Sequence, residues 1–168
     1  MNLLKDEYII LEIIPTAIHP SKGDIIQLSA LKLKGIQLQD RFDYRLEERL
    51  IALDDFKELI SYDKDSFNYK KSTKEILESF KEWAKDLPLL IMDNLYTKNF
   101  LEDLENKKES ICKYLDTEYT DNFIEDLMKK FDLEPTNYIV DILYESLIKH
   151  LWKKICYNKN RIGKYDSN

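Results

Sequence analysis

The chain has 168 residues, of which 43% are hydrophobic and 35% charged, with a net charge of −6. That balance describes one globular, soluble domain long enough to hold a core. It excludes the overall basic footprint of a tight non-specific nucleic-acid binder, and no apolar run nears the roughly 18 residues that a membrane helix needs.

Tyr8–Leu11 is a continuous apolar run, which predicts a central strand buried on both faces, with Glu12 where that strand should end. His19–Asp24 is turn chemistry. Ile25–Gly35 is rich in strand formers and alternates cleanly through Leu31 and Leu33. Ile36–Leu46 alternates again, so the N-terminal quarter predicts a three-strand meander. The period then changes. Ser72–Leu87 places Ile76, Leu77, Phe80, Trp83 and Ala84 at helical spacing, and Ser72 before Glu75 predicts a capping box. Pro88 ends that helix.

Leu89–Met92 predicts a short buried strand with Asp93 and Asn94 at its carboxyl end, where they could cap a following helix. Thr97–Glu109 is expected to be helical and Ser110–Asp116 to be a fifth strand. Thr120–Leu133 is an amphipathic helix with a cap at Thr120 or Asp121. Asn137–Cys156 is a long final helix with Ile139, Ile142, Leu143, Leu147, Ile148 and Leu151 on its apolar side. Together these elements predict an α/β fold, a mixed five-stranded sheet flanked by helices. A site would lie where the carboxyl end of a strand faces the last helix. The expected division is a domain over 1–157 and a polar tail over 158–168.

Smaller features read plainly. Cys112 and Cys156 sit in apolar patterns and are expected to be buried thiols of a reducing compartment rather than a disulfide. His19 and His150 are too few for a histidine metal site. Trp83 and Trp152 are expected in the core. Ser61–Lys71 interleaves aromatic and charged residues and predicts a surface loop anchored by Phe67, with base stacking as the other reading. The basic run Lys149–Lys164 suits a helix C-terminus, with contact to phosphate or an acidic partner as the other reading. No charged leader precedes a cleavable apolar stretch, so the expected location is the cytoplasm.

The order and spacing of these segments resemble the DnaQ-like 3′–5′ exonucleases of the ribonuclease H-like fold. In that family the first strand ends in Asp-x-Glu, followed by a threonine turn, a proline and a second strand that begins Ile-Ile-Glu. "EIIPTAIHPSKGDIIQ" runs alongside, with Glu12 at the first acid, Ile14 at the second, Thr16 and Pro20 in the turn, and Gln27 at the second-strand acid. "DRF" (Asp40–Phe42) resembles the end of the third strand. "PLLIMDNLYTKNFL" resembles the next motif, with Thr97 at its catalytic acid. "NFIEDLMKKFDLEPTNYIVDI" resembles the last, with Thr136 at its histidine and Asp141 at its closing acid.

The resemblance implies chemistry by two magnesium ions held by four carboxylates, with a histidine that activates water. Magnesium requires hard oxygen ligands, and paired ions stabilise both attacking and leaving oxygens. Of the family positions Glu12, Ile14, Thr97, Thr136 and Asp141, only Glu12 and Asp141 are acids. The expectation is therefore a degenerate exonuclease-fold protein, catalytically inactive, that works as a nucleic-acid- or protein-binding module without a cofactor. The rival is a weak metal-dependent exonuclease or phosphodiesterase that uses Glu12, Asp93 and Asp141, joined by Glu145, with magnesium or manganese. Expected partners are single-stranded nucleic acid, bound weakly, or a protein, with no membrane; the oligomeric state stays open.

Overall fold

A computed structural model of the chain describes residues 1–45, 71–136 and 138–162, without the side chains beyond 157. The expected loop over Ser61–Lys71 lies, up to residue 70, outside the described residues.

β1 (Glu7–Pro15) is buried from Tyr8 to its end, as an uninterrupted apolar run requires. β2 (Ile25–Lys34) runs antiparallel to it, and β3 (Gln37–Arg45) runs antiparallel to β2. β4 (Leu89–Ile91) returns parallel to β1, with Leu89 opposite Ile9, and β5 (Lys108–Ser110) lies parallel to β4. The strand order is β3-β2-β1-β4-β5. Among the described residues the helices are α1 (Thr73–Ala84), α2 (Leu95–Phe100), α3 (Ile111–Leu115), α4 (Phe123–Phe131) and α5 (Ile139–Ile162). The expected mixed five-stranded sheet flanked by helices is the one observed.

Strand parity divides the core in two. Tyr8, Ile10 and Ile14 pack with Ile111, Phe123, Leu127, Ile139 and Leu143 on one face. Ile9, Leu11 and Ile13 pack with Ile76, Phe80, Phe100 and Leu101 on the other. Glu12 shares parity with Ile10 and Ile14, so it faces α5.

The capping box is present: the Glu75 N–H donates to Ser72 Oγ and the Ser72 N–H to Glu75 Oε2. The β2–β3 turn is closed by Gly35 at φ 58°, where an added Cβ would stand 2.8 Å from the Leu4 carbonyl oxygen. Gly35→Ala is therefore expected to destabilise the protein by about 2 kcal/mol in urea unfolding, from left-handed strain together with that contact.

Several expectations are corrected. Ser110–Asp116 is not a strand; β5 ends at Ser110, whose Oγ accepts the Cys112 N–H and starts α3. Ile111, Cys112 and Leu115 are buried at helical spacing, a pattern too short to distinguish from a strand by sequence. The helix expected over Thr97–Glu109 is only Leu95–Phe100, capped by Asn94. α4 begins at Phe123, and its cap position Asn122 makes no side-chain bond, while the Thr120 hydroxyl donates to Asp126. α5 runs past the expected end at Cys156 to Ile162. Before that extension Trp152 and Cys156 are exposed rather than buried; the last α5 residues in the core are Leu147 and half-buried Leu151.

Candidate functional site: a carboxyl row and an arginine fork

The pairing register lines up three polar residues across the sheet. Glu12 on β1 pairs with Ser29 on β2, and Ser29 pairs with Asp43 on β3. Because directly paired residues share a face, this row lies under the start of α5. Glu12 is fully buried. Gln27 Nε2 donates to Glu12 Oε1 at 2.6 Å and reaches Ser29 Oγ at 3.3 Å. The other oxygen, Oε2, is buried without a partner among the described residues. Burial pushes the Glu12 carboxyl up to about 8; Asp141 and Asp43 push the same way, while Gln27 and the Val140 backbone oppose. Near neutral pH the group is mainly the neutral acid.

Asp141 enters from the first turn of α5. Arg41 enters from β3, two residues before Asp43 and so on the same face. Its Nη1 lies 2.9 Å from Asp141 Oδ1, its Nη2 3.4 Å from Asp141 Oδ2, and its Nε 2.5 Å from Asp43 Oδ2. One guanidinium thus joins the edge of the sheet to the last helix through a forked, charge-assisted contact. All three side chains are about one-third exposed. The Arg41 and Arg45 guanidiniums also lie 4.3 and 4.1 Å from the Tyr138 ring centroid, within cation–π range.

The remaining family positions are elsewhere in chemistry if not in sequence. Ile14 is core. Thr97 is buried on α2, its N–H donating to Asn94 Oδ1 at 2.8 Å and its hydroxyl without a partner among the described residues. Thr136 Oγ1 accepts the Tyr138 N–H at 3.2 Å in the segment before α5. Asp93 is held at the β4–β5 end by the Ser110 hydroxyl and by Lys98 Nζ at 3.1 Å. Its burial would raise its pKa, but those two partners bring it below the ordinary carboxylate value.

Among the described residues no three His, Cys, Asp or Glu side chains are placed to hold a metal ion. Of the acids Glu12, Asp93 and Asp141, Asp93 is engaged by Ser110 and Lys98, and Asp141 by Arg41. Glu145, a turn beyond Asp141, lines with it an outer groove. A pair of divalent ions needs ionised oxygens. A mainly protonated Glu12, a hydrocarbon at Ile14 and a guanidinium on Asp141 do not fit that requirement.

Arg41 and Asp43 are the residues that sequence reasoning missed. Their i, i+2 spacing in "DRFDYR" places them on one strand face. Which face, and under which helix, follows only from the β2–β3 register.

The mixed five-stranded sheet flanked by helices is the fold of ribonuclease H-like exonucleases. The chain is similar to a full-length 3′-exonuclease (TM-score 0.59, 12% identity, covering 90% of this chain and 84% of that one). It is similar to E. coli exonuclease I in its zinc-bound complex with single-stranded DNA (TM-score 0.58, 12% identity, 96% of this chain and 42% of that one). It is also similar to cell-death related nuclease 4 (TM-score 0.51, 11% identity, 90% and 65%). The chain thus spans under two-thirds of the length of two of these structures, and at such identity the likeness is one of fold. No protein-family model and no curated protein matches the sequence. Among the described residues no helix is long and apolar enough to cross a membrane.

Proposed function

We propose that this chain is an exonuclease-fold domain that has given up metal-dependent catalysis and serves as a binding module for nucleic acid or protein. One observation carries the reading: the Arg41 guanidinium lies on Asp141 and Asp43, supplying fixed positive charge to the carboxylates beneath α5. Catalysis of the family type would need those oxygens free and Glu12 ionised. Burial works against the second condition. The residues of this site therefore hold one another in place and leave no ionised cluster for a metal.

The solved complex of exonuclease I with single-stranded DNA supports nucleic acid as one kind of partner for this fold. The net charge of −6 argues that such binding here is weak and salt-sensitive.

The decisive assay follows end-labelled single-stranded DNA and RNA with magnesium or manganese. No shortening is expected above the background of a Glu12→Ala, Asp141→Ala double variant. Metal-dependent digestion by the wild type that the double variant lacks overturns the reading.

A further inference from the structure

Beside the arginine fork, between the start of β3 and the segment that leads into α5, lies a groove of about 560 Å³. Its apolar lining includes Leu38, which is 48% exposed, together with half-buried Leu133 and Tyr144. Exposed Asp132, Glu134 and Glu145 line it as well, with Asp141, which Arg41 holds, and among the described residues no basic side chain does. Among the described residues none of these three carboxylates has an ion-pair partner. The nearby Lys149 spends its ammonium on the backbone carbonyls of Phe131 and Asp132.

We infer that this groove docks an apolar segment of a partner protein that carries lysine or arginine. Three acids with no ion-pair partner among the described residues, around exposed Leu38 and half-buried Tyr144, select cationic side chains next to hydrophobic ones and repel phosphate. The inference rests on the binding-module reading for its biological sense but on separate residues for its evidence.

The test titrates the isotope-labelled full chain with a short peptide of alternating lysine and leucine. Binding with a dissociation constant of about 10–100 μM at low salt is expected, with NMR shifts centred on Leu38, Leu133 and Tyr144. Added salt should weaken it. The variant with Asp132→Asn, Glu134→Gln and Glu145→Gln changes only exposed charge, and its affinity should fall at least about tenfold. No binding, shifts elsewhere, unchanged affinity in the variant, or preference for a glutamate–leucine peptide or a single-stranded oligonucleotide overturns the proposal. Nuclease activity would overturn the non-catalytic reading and leave this titration unaffected, so the two can fail separately.

Discussion

Arg41→Ala should destabilise the folded chain by about 1–3 kcal/mol in urea denaturation at pH 7. Losing a partner from a fully buried ion pair costs about 3–5 kcal/mol. The fork is one-third exposed, so solvent screening reduces that figure. What remains comes from two sources. Asp141 and Asp43 lose the cation between them and repel. Tyr138 loses one of its two stacked guanidiniums.

A second variant separates this account from simple loss of packing. Arg41→Ala combined with Asp141→Asn should be more stable than Arg41→Ala alone, because one of the two repelling charges is gone. In a double-mutant cycle the pair should couple by at least about 0.5 kcal/mol. Additive effects, or a silent Arg41→Ala, would remove Arg41 from the centre of the site.

Glu12→Gln should convert a pH-dependent stability into a flatter one. The folded chain holds the Glu12 proton up to about pH 8, against an ordinary value of 4.5. Below 4.5 both folded and unfolded chains are protonated, and the folded state keeps its full advantage. As pH rises from 4.5 to 8, the unfolded chain releases the proton and the folded chain does not. Stability therefore falls by up to about 1.4 kcal/mol per pH unit, then levels off above 8. A glutamine has no such proton to lose. At pH 9 the variant should exceed the wild type by a few kcal/mol, whereas near pH 4 the two should lie close together.

His150, whose pKa is lowered chiefly by burial, bends the curve the opposite way in both proteins and cancels in the difference. Parallel curves for wild type and variant would show that Glu12 is ionised in the folded state at neutral pH. The route to a metal-binding carboxylate would then reopen.

The two variants probe one arrangement from opposite sides. Arg41 supplies the charge that Asp141 and Asp43 need, and burial withholds charge from Glu12. The cation on this site's carboxylates is part of the chain, and the acid on β1 is mainly uncharged at neutral pH.

Much of the frame could be read from local pattern. Tyr8–Leu11 announced the central strand because a segment covered on both faces must be apolar at every position. Ser72 and Glu75 marked a helix start, since that pair satisfies two backbone donors at once. The pattern failed where elements were short. Ile111–Leu115 could be strand or helix on its apolar residues alone, and the neighbouring Ser110 cap decided it. Trp152, expected in the core as a large aromatic, is 51% exposed, because it lies off the α5 stripe of Leu143, Leu147 and Leu151 that packs on the core.

By itself, then, the amino-acid sequence determined the sheet-and-helix frame, the position of Glu12 on a buried strand and the hydrocarbon at Ile14, because each depends on residue type and short-range period. Only the tertiary structure decided the state of the site. Arg41 and Asp141 stand 100 residues apart and meet because strand register and the docking of α5 bring them together. The raised pKa of Glu12 likewise comes from the depth of its burial and from carboxylates contributed by two other elements. Neither is a property of any segment alone.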